Sequence, residues 1–282
     1  MQPEVAMRGN GGAVSAPIPP LGLGTYRRTG DEGVAAILTA LELGYRHIDT
    51  AQNYDNEDAV GEAVRRSGLA RDAVFITTKV ADSNLDRGRF ADSVARSLER
   101  LGTGRVDLLL IHWPSAHGAV PLEEYLNALA EAQARGQARL IGVSNFTIEL
   151  LERAEVILGP GALATNQVEL HPWLQQPRLR DWARRRGLML TAYEPLVRGR
   201  VLSEPAVLEI AERHGVTPAE VVLAFLLTEG HAAIPASSQA EHLRTNLAAA
   251  ALALAPDEVA RMRALDRGMR TIDPPKAPRW DD

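Results

Sequence analysis

The feature that most constrains the fold is a regular alternation of short apolar segments and longer amphipathic segments. The apolar segments are rich in Val, Ile and Leu and are continuous, as is typical of parallel strands that are covered on both faces. Eight strands are predicted, at Leu21–Thr25, Tyr45–Asp49, Val74–Lys79, Val106–His112, Ala138–Val143, Ala164–Val168, Leu188–Tyr193 and Ala232–Pro235.

The amphipathic segments between the strands carry the start and stop signals of helices, namely an Asp or Pro at the first turn and a Gly after the last. Helices are predicted at Asp31–Leu43, Asp86–Leu101, Pro121–Arg135, Ile148–Leu158, Pro177–Arg186, Pro205–His214, Pro218–Thr228 and Asp257–Leu265. Strands that alternate with helices predict an α/β fold. We therefore expect a single (β/α)8 TIM barrel with extra helices and a C-terminal tail loop.

The structural alternative is an open, doubly wound sheet. Its phosphate-binding signature, G-x-G-x-x-G after the first strand, lacks the third glycine here, because Gly22 and Gly24 are followed by Arg27. The 282 residues suit one barrel of about 250 residues with insertions. We expect a flexible N-terminal tail at residues 1–19 and the barrel domain at residues 20–282.

The composition excludes several classes of protein. The chain has no cysteine, so it has no disulfide scaffold, no thiolate zinc site and no cysteine nucleophile. The net charge of −5 is dispersed, which argues against a nucleic-acid or anionic membrane partner. No apolar window is long enough to span a bilayer, and no signal peptide is recognisable. We expect a cytoplasmic protein whose partner is a small molecule.

Charged and polar residues gather where the predicted strands end, which is the working face of such a barrel. Asp49, Lys79 and His112 end three successive strands, and Tyr54 lies in the loop after the second. A free phenol, with a pKa near 10, donates a proton poorly at neutral pH, and a neighbouring ammonium is expected to lower that pKa. Asp49 would keep Lys79 charged, and His112 would orient a substrate oxygen. Singly, each residue would more often be structural than catalytic, whereas the four together at matching strand ends indicate a catalytic site.

The ordered motifs resemble those of the aldo-keto reductases from about Pro20 to Asp282. They are Gly22-Leu23-Gly24-Thr25, Gly44-Tyr45-Arg46-His47-Ile48-Asp49-Thr50-Ala51, Tyr54-Asp55-Asn56-Glu57, Ile76-Thr77-Thr78-Lys79, Ile111-His112-Trp113-Pro114, Ile141-Gly142-Val143-Ser144-Asn145-Phe146 and Asn166-Gln167-Val168-Glu169. Within that family, the chain most resembles the bacterial 2,5-diketo-D-gluconate reductases, particularly the B form, and the methylglyoxal reductases. The resemblance extends to the Trp280-Asp281 pair near the end.

The resemblance implies a reductase that passes hydride from a nicotinamide cofactor to small aldehydes, α-dicarbonyls or keto-sugar acids, with Tyr54 as proton donor. It implies that Ser144, Asn145 and Gln167 hold the carboxamide and that the nicotinamide ring stacks on Tyr193. The full set of implied cofactor-binding residues is Thr25, Ser144, Asn145, Gln167, Tyr193, Pro195, Leu196, Ser237, Ser238, Arg244 and Asn246. The implied substrate residues are Tyr26, His112, Trp113 and Trp280.

The sequence departs from the family where NADPH-preferring members carry a Lys and an Arg for the 2′-phosphate, because Ala236 and His242 stand there. Ser237, Ser238 and the N-terminus of the helix that follows could still receive a phosphate. Arg244, Arg198 or Arg200 could supply charge. We predict NADPH, with NADH possible. Glu194, where Ser is common, has no explanation in the sequence.

Two other functions remain open. A regulatory, non-catalytic nicotinamide-binding protein could use the same fold, because function resides in the site. A phosphate-binding barrel isomerase would be favoured only if the protein failed to bind the cofactor. His112 and His117 lack the i, i+4 spacing of a helical zinc motif, so we expect no metal. We expect a monomer.

Overall fold

The computed structural model describes residues 18–281. Asp282 and residues 1–17 lie outside the described residues, so most of the predicted N-terminal tail at residues 1–19 does too. Its eight strands are parallel and follow one another in sequence order within one sheet. They are β1 (Leu23–Gly24), β2 (His47–Asp49), β3 (Phe75–Val80), β4 (Val106–Ile111), β5 (Ala138–Ser144), β6 (Leu163–Glu169), β7 (Met189–Tyr193) and β8 (Ala232–Ala233).

Backbone hydrogen bonds join the two edges of this sheet. The Ala233 N–H donates to the Pro20 carbonyl at 2.8 Å, the Gly22 N–H to the Ala233 carbonyl at 2.9 Å, and the Gly24 N–H to the Pro235 carbonyl at 3.1 Å. The predicted (β/α)8 barrel and its eight strands are confirmed. β8 ends earlier than predicted, before Pro235, whose nitrogen has no hydrogen to donate.

Ten helices surround the barrel in the described part of the chain. They are α1 (Gly30–Leu43), α2 (Glu57–Arg66), α3 (Arg87–Leu101), α4 (Leu122–Ala134), α5 (Ile148–Leu158), α6 (Pro177–Arg186), α7 (Pro205–His214), α8 (Pro218–Thr228), α9 (Ala240–Ala248) and α10 (Pro256–Arg263). The eight predicted helices are present within two residues at each end. No helix of residues 18–281 is long and apolar enough to cross a membrane.

The sequence did not predict α2, which directly follows the loop that carries Tyr54. Apart from Glu57, its buried residues are Ala, Val and Gly, and at Gly61 an added Cβ would lie 2.6 Å from the Leu101 carbonyl oxygen. The helix therefore packs backbone to backbone on the end of α3. This close packing leaves no large apolar residues from which a helical pattern could be recognised.

Alternate side chains of the strands build two apolar layers. Along β4, Leu108 and Leu110 join a small cluster with Phe75, whereas Leu109 and Ile111 belong to the main core. Because successive side chains of a strand point to opposite faces, the first pair faces the barrel interior and the second faces the helices. The interior is apolar in this layer, and polar groups collect at the carboxyl ends of the strands.

Candidate active site

Four polar side chains meet at the carboxyl ends of β2, β3 and β4. Asp49 ends β2, Lys79 is the penultimate residue of β3, His112 follows β4, and Tyr54 ends a short 3₁₀ helix after β2. The Lys79 Nζ donates to Asp49 Oδ1, to the Thr50 carbonyl at 2.9 Å and to the Tyr54 hydroxyl at 3.3 Å. The structure therefore brings the predicted catalytic cluster together.

The Asp49 carboxylate is held from two sides. Its Oδ1 pairs with Lys79, and its Oδ2 accepts from the Gln167 Nε2 at 2.7 Å. Neither Asp49 nor Lys79 has meaningful contact with solvent. The His112 ring lies 5.5 Å from the Tyr54 ring, centroid to centroid, with an angle of 80° between the ring planes. The phenol is thus close to both an ammonium and an imidazole.

The electrostatics of the phenol differ from the prediction made from sequence. Burial raises the pKa of Tyr54 above its ordinary value, and the attraction of Lys79, which lowers that pKa, only partly offsets the rise. The expected net lowering is therefore wrong, since the desolvation of the phenolate of this half-buried side chain outweighs the attraction of one ammonium. Burial would also lower the pKa of Lys79, but Asp49 and Tyr54 outweigh it and raise the pKa. Tyr54 is protonated and Lys79 is charged at neutral pH.

His112 is neutral in this environment. Burial, followed by the positive charges of Lys79 and Lys276, holds the pKa of His112 well below its ordinary value. Its Nδ1 is buried and has no hydrogen-bond partner among residues 18–281. A neutral imidazole carries one N–H donor and one acceptor, so His112 can donate to a carbonyl oxygen without acting as an acid.

A cleft of about 1140 Å³ opens above these residues. One wall carries Ser144, Asn145, Gln167 and Tyr193, joined by hydrogen bonds. The Tyr193 hydroxyl donates to Asn145 Oδ1 at 2.7 Å, and the Ser144 hydroxyl donates to the Gln167 carbonyl at 2.7 Å. Asn145 adopts a left-handed backbone conformation (φ 64°), which Asn tolerates better than most residues. This wall offers a flat ring beside fixed amide groups.

Most of the predicted cofactor residues line the cleft, but two do not. The lining includes Thr25, Ser144, Asn145, Gln167, Tyr193, Pro195, Leu196, Ser237 and Asn246. Ser238 and Arg244 are absent from it, and Arg244 instead pairs with Glu241 on the exposed side of α9. The helical register turns His242 and Thr245 toward the cleft in their place.

The cationic groups of the cleft are mostly ones that the sequence analysis did not single out. Arg27 and Arg28 line it from the loop after β1, and Arg28 Nε is buried without a partner in the described chain. Arg198 lines it too, with its Nε 3.5 Å from Glu194 Oε1, whereas Arg200 lies over the Trp173 ring. Glu194 is thus the counter-ion of Arg198. Side-chain direction in loops has no periodic signal in the sequence. Spacing therefore could not have shown which of these arginines line the cleft.

The side of the cleft where the substrate residues were predicted is formed by aromatic residues and the C-terminal tail. Tyr26 is about half exposed and packs edge-on against Tyr54, with ring centroids 5.2 Å apart, and Trp113 is also in the lining. Trp280 packs on Trp113 at 6.1 Å but does not itself line the cleft, and its indole N–H donates to Asp273 at 2.9 Å. Residues 271–274 of the tail complete the wall. Within residues 18–281, no group of three or more His, Asp or Glu could hold a metal ion.

Comparisons with known proteins agree with this geometry. The model of the Aldo/keto reductase family matches residues 20–267. The chain belongs to the aldo/keto reductase family and is an aldo-keto reductase. It is 45% identical to the methylglyoxal reductase DkgB of Salmonella typhi over 94% of this chain and 99% of that protein. It is 40% identical to 2,5-diketo-D-gluconic acid reductase B of Corynebacterium sp. over 88% of this chain and 89% of that one.

Solved structures show the same fold. A variant of Gox0644 in complex with NADPH superimposes with a TM-score of 0.85 at 34% identity, covering 93% of this chain and 95% of that chain. The aldo-keto reductase AKR2E5, also complexed with NADPH, gives a TM-score of 0.82 at 30% identity, covering 91% of this chain and 87% of that one.

Proposed function

We propose that this aldo-keto reductase uses NADPH to reduce small aldehydes and α-dicarbonyls, with Tyr54 as the proton donor. The observation that carries the proposal is the distance of 3.3 Å between Lys79 Nζ and the Tyr54 hydroxyl, at the base of the cleft and beside a neutral His112. A structural ion pair alone would not require a phenol and an imidazole on the open side.

The residues of the cleft fit a nicotinamide dinucleotide. Ser144, Asn145 and Gln167 offer hydrogen-bonding groups for a carboxamide, and the neighbouring Tyr193 ring offers a face for a planar ring. Ser237 and His242 line the part of the cleft at the start of α9, where backbone N–H groups favour phosphate, and Asn246 lines it farther along the same helix. When bound, the cofactor supplies the hydride.

The protein's part in the chemistry is to move a proton and stabilise charge. The Tyr54 hydroxyl donates its proton to the carbonyl oxygen as negative charge develops there. The Lys79 ammonium stabilises the phenolate that remains, and Asp49 keeps that ammonium charged and directed at Tyr54. Neutral His112 donates a hydrogen bond to the same carbonyl oxygen and fixes its position.

The substitution Tyr54→Phe tests the proton-donor role. We expect kcat/KM for methylglyoxal reduction to fall by about 10²- to 10⁴-fold, which is the usual contribution of a general acid. NADPH affinity, followed by quenching of tryptophan fluorescence, should stay within about twofold because Tyr54 is not in the wall proposed for the ring. Tyr26→Phe, which removes a neighbouring phenol, is the matched control. Wild-type-like turnover in Tyr54→Phe would disprove the role.

The same measurements separate the alternative functions. A regulatory nicotinamide-binding protein would bind NADPH but would reduce no carbonyl compound in a panel of methylglyoxal, phenylglyoxal, simple aldehydes and 2,5-diketo-D-gluconate. A barrel isomerase would fail to bind NADPH at all. NADPH oxidation with any member of the panel supports the reductase.

Cofactor preference is proposed to be relaxed, so that NADH is also accepted. Ala236 provides no charge, His242 replaces an Arg, and Arg244 is engaged by Glu241. His242→Arg should tighten NADPH binding about tenfold or more, because a charged hydrogen bond contributes about 1.5–3 kcal/mol, and should leave NADH binding unchanged. Arg244→Ala is the control and should alter neither dissociation constant. Equal tightening for both cofactors would contradict the placement of the 2′-phosphate beside His242.

A further inference from the structure

A second buried carboxylate lies near the cleft and has no part in the mechanism above. Glu169 is the last residue of β6, two positions after Gln167, and its side chain has no exposed surface. A buried carboxylate without partners is very unfavourable, so its hydrogen bonds indicate its role.

The carboxylate of Glu169 is bound mainly by the C-terminal tail. Its Oε1 accepts from the Thr271 N–H at 2.8 Å and from the Thr271 hydroxyl at 2.5 Å, and its Oε2 accepts from the Ile272 N–H at 2.9 Å. The fourth donor is the His171 Nε2 at 3.0 Å. Three of the four donors therefore belong to a segment about 100 residues away in sequence.

The tail residues that Glu169 holds are those that line the cleft. Thr271 and Ile272, with Asp273 and Pro274, form the tail side of the wall. Other attachments lie on both sides of this part of the tail. Before it, the Arg267 and Met269 N–H groups donate to the Trp173 carbonyl at 3.2 and 2.9 Å. Lys276 pairs with Asp82 at 2.6 Å, with 31% and 24% of the two side chains exposed. Glu169 is the buried carboxylate that binds Thr271 and Ile272 themselves, which line the cleft.

We infer that Glu169 is a positioning residue for the carbonyl substrate, because it fixes Thr271 and Ile272 as one wall of the substrate pocket. The inference rests on the proposed reductase function for the identity of the substrate. It assigns Glu169 no contact with cofactor or reacting atoms. The residue acts only through the tail.

The charge of Glu169 strengthens this attachment. Burial by itself would raise the pKa of Glu169, but the hydrogen bonds from His171, Thr271 and Ile272 outweigh burial and lower it. The carboxylate is therefore ionised at neutral pH, and hydrogen bonds to an ionised acceptor are roughly twice as strong as neutral ones. A neutral amide of the same shape could not accept all these bonds.

The test compares Glu169→Gln with Glu258→Gln. Glu258 is also a buried carboxylate, accepting from the Ala255 N–H at 2.9 Å and pairing with His214 at 2.8 Å at the start of α10, away from the cleft. It controls for the general cost of neutralising a buried acid. Thr271→Val, which removes one of the four bonds from a partly exposed residue, is the second variant if Glu169→Gln does not fold.

Two measurements report on the inference. Hydrogen exchange at the Thr271 and Ile272 amides should accelerate about tenfold or more in Glu169→Gln and stay unchanged in Glu258→Gln. The KM for methylglyoxal and the KM for phenylglyoxal should each rise by roughly tenfold, because a misplaced wall alters substrate positioning. The ratio of the two KM values should also change. The dissociation constant of NADPH should stay within about threefold. Thr271→Val should give a smaller change in the same direction.

Several outcomes would overturn the inference. Unchanged exchange at Thr271 and Ile272 in Glu169→Gln would show that the carboxylate does not hold the tail. If exchange at these amides is faster but the KM for each substrate and the ratio of the two KM values are unaltered, the tail does not position the substrate. If the wild-type protein reduces no carbonyl compound, the proposed function fails, whereas the exchange result still decides whether Glu169 anchors the tail.

Discussion

The ion pair of Lys79 and Asp49 should contribute both to the free energy of unfolding and to kcat/KM, and a double-mutant cycle can separate these two contributions. Lys79→Met keeps the length of the side chain and removes its charge. The substitution deletes three hydrogen bonds, to Asp49, Thr50 and Tyr54, and leaves the buried Asp49 carboxylate with Gln167 Nε2 as its remaining side-chain partner. The protein then contains an uncompensated buried charge.

The expected magnitude follows from that charge. Removing one partner of a buried ion pair typically destabilises a protein by about 3–5 kcal/mol. Replacing the other partner as well, in the double variant Lys79→Met with Asp49→Asn, removes the uncompensated charge and should recover about 2 kcal/mol or more. Turnover should not recover. Tyr54 lacks the ammonium in both variants, so kcat/KM should stay about 10²-fold or more below wild type.

Urea unfolding followed by far-ultraviolet circular dichroism gives the free energies, and NADPH oxidation with methylglyoxal gives kcat/KM. The Asp49→Asn single variant completes the cycle. A double variant no more stable than Lys79→Met would refute the idea that an unpaired Asp49 carries the cost. Recovered turnover in the double variant would refute the role of the Lys79 charge.

Two further predictions follow from the same structure. Burial lowers the pKa of His112 and raises that of Tyr54, so neither group should change its charge near neutral pH. We therefore expect kcat/KM for carbonyl reduction to be constant from about pH 6.5 to about pH 9. An ionisation near pH 6.5 in this profile would show that His112 titrates like a solvent-exposed histidine. Gly142→Ala should lower the free energy of unfolding by about 1–3 kcal/mol, because the new Cβ would lie 2.7 Å from the Thr165 carbonyl oxygen. An unchanged urea midpoint of unfolding would contradict the close approach of β5 and β6.

The sequence was sufficient for the barrel and for the centre of the site because both depend on short-range patterns. Apolar runs bounded by glycine locate strands within two residues at each end, and the carboxyl end of each strand fixes where Asp49, Lys79 and His112 lie. Parallel strands in sequence order then bring those ends together without any further information. The cofactor roles of the surrounding residues stay predictions.

The remaining features depend on information that spacing does not contain. Arg244 was expected in the cleft, but the register of α9 turns it toward Glu241, and one residue changes a helical direction by about 100°. The partner of Glu169 is about 100 residues away in an irregular tail, which has no periodicity to read. The pKa of Tyr54 depends on how completely the phenol is buried, which only the assembled cleft determines.

The hydrogen bonds between Pro20–Gly24 and Ala233–Pro235 also bear on how the protein is made. During synthesis, the outer edge of β1 stays unpaired until more than two hundred further residues have been made, because its partner is the segment Ala233–Pro235. Until then the nascent chain presents an open sheet edge, which other chains could join. A change that slows translation before residue 235 would therefore favour aggregation without altering any contact of the finished enzyme.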